Sequence, residues 1–382
     1  MALDFRPAWM NEELEIYRNT VERFVEQEML SGDEAARKLG NVGHALWRRA
    51  GELGLLCSDI PQRYGGGGGD FRHEALFYEA KSRRGLTGMS TSVHSIVAHY
   101  FLNHGTEAQR ERYLPRMARG ELVGAIAMTE PGTGSDLQAI KTRAKLRGDH
   151  YVINGAKTFI TNGFLAGVVL VVCKTDPSQR ASGTSILIVE TQGTLGYSVG
   201  RVLDKIGLKA QDTSELFFDN VTVPVENLLG GVPGKGFFQL MSDLPYERLM
   251  IGVIGVAAME GAYEATLRYV REREAFGRPI AEFQNTKFKL AEIATTIKVA
   301  RAFVDRCVSD LVAGTLDTAT ASMAKMWVSE QQGRVMDECL QLHGGCGFMN
   351  EFLVARMYVD ARVQRIYGGT NEIMKEVISR AL

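Results

Sequence analysis

The residues best placed to bind a ligand lie in a glycine- and proline-rich turn that follows an apolar strand. The apolar residues 125–128 lead directly into the turn at 129–135. Glycines let backbone amides approach a planar or anionic ligand closely, and Thr129 and Ser135 add hydroxyl groups. A dinucleotide fingerprint is incomplete, because Leu137 stands where a third glycine is required. By itself the segment is also compatible with a plain turn.

Three further segments could contact a phosphate or a carbonyl group. Arg273-Glu-Ala-Phe-Gly277 closes a predicted helix, and a guanidinium there could bind a pyrophosphate through two parallel hydrogen bonds. The alternating charges over 271–274 are equally typical of a solvated helix face. Gln341-Leu-His-Gly-Gly345 is a helix C-cap signal, with or without a function. Arg365-Ile-Tyr-Gly-Gly-Thr-Asn-Glu372 predicts a glycine turn before a helix, and its N–H groups would suit an anionic or carbonyl ligand.

Other patterns are weaker chemical signals. The five glycines at 65–69 lack the Lys-Ser/Thr of a phosphate loop, so they predict a flexible surface turn. His94, His99 and His104 are spaced by five and do not share one helical face, so we predict no metal site. The five scattered cysteines form no C-x-x-C pair, which favours buried thiols in a reducing compartment.

Composition and charge narrow the class of protein. The chain has 382 residues, of which 45% are hydrophobic and 23% charged, as in a folded protein of two or three domains. A net charge of −1 provides no polybasic surface for nucleic acid or anionic lipid. The longest apolar stretch, residues 249–259, is well short of the ~20 residues that cross a bilayer. The N-terminus resembles no signal or transit peptide. We therefore expect a cytoplasmic protein without a membrane span, and a location in the mitochondrial matrix only if a transit peptide has been removed.

The elements that must position these residues fall into three sections, which we predict to be domains at 1–122, 123–235 and 236–382. The first shows apolar residues at helical spacing. The second has short β-branched runs at 168–173, 185–190 and 216–223 with an Asn154-Gly155 turn signal, which predicts a small antiparallel barrel or sandwich. The third returns to long amphipathic helices, including 283–312 and 319–342.

Six segments in a fixed order together match one family. They are Ala127-Met-Thr-Glu-Pro-Gly-Thr-Gly-Ser-Asp136, Asn154-Gly-Ala-Lys-Thr-Phe-Ile-Thr-Asn162, Lys205-Ile-Gly-Leu-Lys-Ala-Gln-Asp-Thr213, Arg273-Glu-Ala-Phe-Gly277, Gln341-Leu-His-Gly-Gly345 and Ile366-Tyr-Gly-Gly-Thr-Asn-Glu372. Through them the chain resembles the acyl-CoA dehydrogenase family, and its long-chain branch in particular. The resemblance implies an α+β multidomain fold with an N-terminal helical domain, a central β-barrel and a C-terminal four-helix bundle. It also implies α,β-dehydrogenation of an acyl-CoA, of medium to long chain, to a trans-2-enoyl-CoA in fatty-acid β-oxidation.

The resemblance implies non-covalent FAD and gives positions for it. Met128, Thr129 and Ser135 match positions that line the flavin and the pantetheine. Phe159, Ile160 and Thr161 match positions that pack on the isoalloxazine ring, where phenylalanine replaces the tryptophan of many relatives and keeps a flat apolar partner. The remaining cofactor positions are Arg273, Phe276, Gln284, Gln341, Leu342, Gly344, Gly345, Thr370 and Glu372. In the family some of these reach a neighbouring subunit's FAD, which implies a homotetramer built as a dimer of dimers.

One departure from the family pattern concerns the catalytic base. Many members carry a glutamate in the C-terminal loop, where this chain has Gly368. The long-chain and isovaleryl-type members carry their base at the position of Glu247 instead, followed by Arg and Leu as here. Read without the family, Glu247 would be an acid in the first turn of a helix, stabilised by the helix dipole. The resemblance instead makes Glu247 the base.

The resemblance also implies substrate contacts and partners. Its substrate positions are Ser135, Phe238, Tyr246, Arg248, Gly368 and Gly369. Electrons are expected to pass to an electron-transfer flavoprotein. The alternatives that stay open are a branched-chain (isovaleryl-type) dehydrogenase, a flavin acyl-CoA oxidase and a non-catalytic acyl-CoA-binding homologue.

Overall fold

In the computed structural model, which describes residues 5–382, helices precede and follow a single large sheet. The helices before the sheet are α1 Glu12–Phe24, α2 Ser31–Leu39, α3 Gly43–Glu52, α4 Phe71–Arg83, α5 Thr91–His104 and α6 Glu107–Ala118. A short π-helical stretch, Val25–Leu30, joins α1 to α2. The predicted order of helices, strands and helices is confirmed.

The strands form one curled seven-stranded sheet in the order β1-β4-β2-β3-β7-β6, with β5 paired to β4. Its strands are β1 Gly124–Ala127, β2 Arg143–Arg147, β3 His150–Thr161, β4 Val168–Lys174, β5 Thr184–Glu190, β6 Tyr197–Val202 and β7 Thr213–Pro224. Most pairings are antiparallel. However, β2 meets β4 in one parallel pair and β1 runs parallel to β4, so the predicted antiparallel arrangement is wrong at these contacts. Parallel pairing is possible because a long segment connects the two strands.

The Asn154-Gly155 pair does not form the predicted turn. It lies inside the long strand β3, where the register against β7 shifts between Ile153 and Gly155. A Cβ on Gly155 would lie 2.4 Å from the Thr142 hydroxyl oxygen, so only glycine fits this bulge. The turn between β2 and β3 lies instead at Gly148, whose φ is 60°.

The C-terminal section of the described chain has five α-helices. They are α7 Gly236–Glu272, α8 Gln284–Val312, α9 Thr318–His343, α10 Leu353–Ala361 and α11 Asn371–Ser379, with a hairpin of β8 Glu274–Ala275 and β9 Arg278–Pro279 after α7. By length and composition α7 could cross a membrane, but 83% of its most apolar window is buried inside the protein. It is the core helix of this section.

Close contacts fix α7 against the N-terminal helices. A Cβ on Gly261 would lie 1.8 Å from the carbonyl oxygen of Arg83, so α4 and α7 touch backbone to backbone. Buried Arg301 on α8 pairs with Glu79 on α4 and Glu260 on α7. These contacts place α7 where one of its faces can meet residues from all three sections.

The run of five glycines packs closely against residues 57–60. The N–H groups of Gly67, Gly68 and Gly69 donate to carbonyl oxygens of residues 57–60 at 2.9–3.1 Å. A Cβ on Gly66 would lie 2.2 Å from the carbonyl oxygen of Ile60, so the glycines permit close packing. The segment is a surface turn held by backbone hydrogen bonds.

Candidate active site

Glu247 lies deep inside the protein, on α7. The helix begins at Gly236, so Glu247 is roughly three turns from the helix N-terminus. The expectation of a first-turn acid stabilised by the helix dipole is therefore wrong, because that effect fades beyond the first turn. Pro245, a residue type that favours helix N-termini, lies within this helix.

The surroundings of Glu247 suit a base that works near neutral pH. Burial raises its pKa to about 7, and the nearby carboxylate of Asp243 adds to the rise. The hydroxyl of Tyr100 donates to Glu247 Oε1 at 3.1 Å, and together with Arg248 it opposes the rise. The sequence leaves open whether burial or the cation Arg248 dominates the pKa of Glu247. In the structure the effect of burial is the larger.

Contacts between α5 and α7 hold these groups in place. Asp243 lies one turn before Glu247, and Asn103 Nδ2 donates to its Oδ1 at 2.8 Å. His104 Nε2 lies 3.1 Å from the other oxygen of Asp243. Buried Tyr246 donates its hydroxyl to Asp59 at 2.9 Å and packs against the tilted ring of His99, with ring centroids 4.1 Å apart.

Gly368 packs against the same face of α7 that carries Glu247. A Cβ on Gly368 would lie 2.5 Å from Ile251 Cδ1, one turn beyond Glu247. Further along this face, Ile254 and Ala258 line a cleft together with Thr161. The structure therefore brings together the candidate base, the glycine that replaces the usual base and one predicted flavin residue.

The C-terminal glycine loop, residues 366–370, presents free backbone donors. Gly368 and Gly369 have φ of 64° and 87°. Within the described part of the chain, no acceptor takes up their N–H groups. Thr370 then caps α11 by accepting from the N–H of Ile373 at 3.3 Å, and exposed Glu372 lies in the first turn of that helix.

A buried ion pair joins the turn at 129–135 to β3. Lys157 Nζ donates to Glu130 Oε1 at 2.9 Å and to the carbonyl oxygen of Met128 at 2.8 Å. The N–H of Thr158 also donates to the carbonyl oxygen of Thr129 at 3.0 Å. Thr129 therefore lies beside the strand that carries Phe159, Ile160 and Thr161, while Ser135 is exposed.

Phe159 and Thr161 offer a flat apolar face with a polar edge. A second bulge in β3 gives Phe159 a φ of 59° and leaves its side chain 67% exposed, whereas Ile160 is buried. The Thr161 hydroxyl accepts from Gln211 Nε2 at 3.4 Å. In the adjoining cleft, buried atoms of Thr87 and Gln332 lack a hydrogen-bond partner among the described residues. These features fit the isoalloxazine ring, which has apolar faces and polar edge atoms.

The remaining predicted cofactor residues form a distant second cluster. Arg273 caps the end of α7, about 39 Å along the helix from Glu247. Tyr269, one turn before Arg273, stacks on His343 at the end of α9, with ring centroids 4.2 Å apart. This cluster is largely exposed and comprises Arg273, Phe276, Gln284, Gln341, Leu342, Gly344 and Gly345. One chain cannot bring both clusters to the same flavin ring.

The predicted substrate residues on α7 differ in their burial. Phe238 is exposed at the start of α7. Arg248 is buried and donates to the Ser322 hydroxyl at 2.9 Å, and Tyr246 is buried as described above.

Sequence reasoning missed Tyr100, Asp243, Lys157 and Lys325. Lys325 is a buried residue of α9 that donates to the carbonyl oxygen of Gly369 at 2.7 Å. Lys157 lies within one of the six segments that carry the family resemblance, but the sequence assigned it no role, and the other three stand in no unusual local pattern. Burial and long-range partners distinguish all four.

The chain has a helical section, a curled sheet and a helical bundle, and its buried carboxylate lies on the helix face that the glycine loop contacts. This combination defines an oxidoreductase of the acyl-CoA dehydrogenase fold. Family models for the acyl-CoA dehydrogenase N-terminal, middle and C-terminal domains match residues 11–121, 125–221 and 234–382. The chain belongs to the acyl-CoA dehydrogenase family.

Several relatives are similar over nearly the whole chain. The long-chain specific acyl-CoA dehydrogenase of Rattus norvegicus is 48% identical over 97% of this chain and 86% of its own length. A crystal structure of an acyl-CoA dehydrogenase from Geobacillus kaustophilus has 42% identity and a TM-score of 0.95, and the match covers 98% of this chain and 99% of that one. A chain from a structural study of the electron transferring flavoprotein of Acidaminococcus fermentans has 34% identity and a TM-score of 0.93, with 99% of each chain covered.

Proposed function

We propose that this chain is an FAD-dependent dehydrogenase of medium- to long-chain acyl-CoA thioesters, with Glu247 as the catalytic base. The observation that carries the proposal is the placement of Glu247. It is buried, its pKa is raised to about 7, and it shares a helix face with the residue that touches Gly368. A general base works best when its pKa lies near the working pH.

The residues present fit FAD on the side of β3. Thr129 and Thr161 supply hydroxyl groups beside Phe159, and Phe159 has an exposed flat face. When bound, FAD supplies the acceptor for the hydride that leaves the β-carbon. The protein's own part is to hold the thioester between this surface and Glu247 and to exclude water from the reacting carbons.

Glu247 and the glycine loop, on two sides of the site, have separate roles in the proposed reaction. Glu247 takes the α-proton, and the electrons of that C–H bond form the new Cα–Cβ double bond as the β-hydrogen leaves with its electron pair. Negative charge develops on the thioester oxygen during this step. The free N–H groups of the glycine loop are oriented donors that stabilise such charge. Replacement of a carboxylate by Gly368 leaves this backbone donor intact.

We further propose that two copies of the chain complete each flavin site, in a homotetramer built as a dimer of dimers. The distance between the two clusters of cofactor residues supports this proposal. Phe276 is 96% exposed and Phe348 is 81% exposed beside the second cluster, and both suit an apolar subunit contact. An electron-transfer flavoprotein is the proposed electron acceptor. A cytoplasmic location and domain boundaries near residues 122 and 235 remain predictions.

Anaerobic titration of Glu247→Gln tests the function. The wild-type flavin absorbance should bleach with straight-chain acyl-CoAs more than with isovaleryl-CoA. Glu247→Gln should retain FAD and bleach at least roughly 10²-fold more slowly, because the amide cannot accept the α-proton. Glu264→Gln, on the exposed side of α7, is the matched control and should bleach normally.

Three results would oppose the proposal. If Glu247→Gln bleached as fast as wild type, Glu247 would not be the catalytic base. Wild-type protein that binds but never bleaches with acyl-CoA would be a non-catalytic homologue. Rapid peroxide release in air without an electron carrier would indicate an oxidase.

A further inference from the structure

Lys325 is a buried cation with an unusual set of partners. Its Nζ donates to the carbonyl oxygen of Gly369 at 2.7 Å and to Asn371 Oδ1 at 2.9 Å. The side chain is fully buried, and both acceptors are amide oxygens rather than carboxylates. Burial of an ammonium group without an ionised partner is unfavourable, so this contact must be supported by the surrounding structure.

Lys325 contacts the glycine loop, a segment whose own sequence restrains its backbone little. Gly368 and Gly369 lie in succession at positive φ, and glycine loses more conformational freedom on ordering than any other residue. On one side the loop packs against α7, where a Cβ on Gly368 would approach Ile251. On the other side, the attachment comes from Lys325 together with Asn371, which also bonds to Ser329 on α9 at 3.0 Å.

We propose that Lys325 is a positioning residue that holds the glycine loop so that its free N–H groups face the thioester oxygen. This inference rests on the proposed function. The side chain of Lys325 is fully buried, so it acts through the carbonyl of Gly369 and the side chain of Asn371. Its effect therefore falls on the step in which charge develops, more than on acyl-CoA binding.

The charged groups around the loop make this role dependent on pH. Burial lowers the pKa of Lys325 to about 8, and the cations Arg248 on α7 and Arg365 before the loop lower it further. Glu372 on α11 and Glu330 on α9 oppose that effect. Loss of the proton above this pH weakens both hydrogen bonds, because charge-assisted bonds are the stronger kind. The turnover rate should therefore decline on the alkaline side.

Three variants of the full-length, FAD-loaded protein test the proposal. Lys325→Met keeps the length of the side chain but removes the donor, and should lower kcat per bound FAD by roughly 10- to 100-fold with little change in KM. Lys325→Arg keeps a permanent cation, so it should restore part of kcat and move the alkaline decline to higher pH. Lys375→Met, which removes an exposed lysine of α11 near Glu330, is the matched control and should behave as wild type.

Hydrogen exchange provides a readout that does not depend on turnover. The amides of residues 366–370 should exchange faster in Lys325→Met than in Lys375→Met, whereas those in the middle of α7 should not differ. Wild-type exchange in the loop, or a kcat equal to that of the control, would overturn the proposal. If Lys325→Met fails to fold, an unshifted alkaline decline in Lys325→Arg would overturn it. Retained bleaching by Glu247→Gln would instead refute the proposed function.

Discussion

At the scale of single residues, Glu247 is surrounded by groups that have opposite effects on its pKa. Burial and Asp243 disfavour its ionised form, while Tyr100 and Arg248 favour it. Because the folded-state pKa of about 7 exceeds the usual value of 4.5, the unfolded chain loses this proton more readily. The contribution of Glu247 to stability is therefore fully present below pH 4.5 and is lost as the pH rises from there through the folded-state pKa of about 7. Activity follows the opposite trend, since only the carboxylate can take the α-proton.

The pH profile should respond to these neighbours with predictable sign. In wild type, kcat/KM should rise with an apparent pKa near 7. Tyr100→Phe removes the hydrogen bond to the carboxylate, so the rise should move to higher pH. Asp243→Asn removes a like charge, so the rise should move to lower pH. Measurement of kcat/KM against pH for the three proteins checks this, and a shift of both variants in the same direction would contradict the assignment.

At the scale of elements, the flavin side of the site depends on the attachment of the turn at 129–135 to β3. The side chain of Lys157 is fully buried, and its ion pair with Glu130 spans the two segments. Burial raises the pKa of Glu130, but Lys157 and the N–H groups of residues 141 and 142 outweigh that effect, and the net shift is downward. The turn therefore takes its position from a contact outside its own sequence.

Removal of that contact should cost both stability and cofactor. Lys157→Met leaves Glu130 buried without its cation, which typically costs about 3–5 kcal/mol of unfolding free energy. The freed turn should also hold FAD less tightly. Urea unfolding and the ratio of flavin to protein absorbance measure the two effects. Lys145→Met, on the exposed face of β2, is the control, and a Lys157→Met protein as stable as this control would show that the pair is dispensable.

At the scale of the whole molecule, the placement of Arg273 requires a second chain if it serves the flavin. It lies about 39 Å along α7 from Glu247, and its neighbourhood is exposed. The proposed arrangement puts Glu247 of one copy and Arg273 of another at the same FAD.

Co-expression of two inactive variants tests this arrangement. Glu247→Gln and Arg273→Gln should each be poorly active alone, the second through loss of FAD. In mixed oligomers, the Arg273→Gln chain keeps Glu247 and can receive an intact Arg273 from its neighbour. Activity and bound FAD should therefore recover to as much as half of the wild-type level per dimer. Arg271→Gln should retain FAD by itself, and absence of recovery in the mixture would assign Arg273 to its own chain or to the surface.

The sequence determined the features that depend on local pattern. Helical and strand periodicity predicted the three sections. Paired glycines predicted the turn before α11 and the end of α9. These features depend on neighbours within a few residues. The absent carboxylate at Gly368, read with the family resemblance, directed attention to Glu247. Only the tertiary structure decided the environment of that residue. Tyr100 is 147 positions away from it along the chain.

Long-range packing also decided which lysines support the candidate site. The local sequence gives no sign that Lys157 and Lys325 are buried, yet both are fully buried, because segments remote in sequence enclose them and supply their acceptors. Asn154-Gly155 shows the same limit, since pairing with β7 makes a local turn signal into a bulge. Residue type and spacing thus indicated which chemistry to look for. Burial, electrostatic environment and the distance between the two cofactor clusters arise from contacts that the chain makes only when folded.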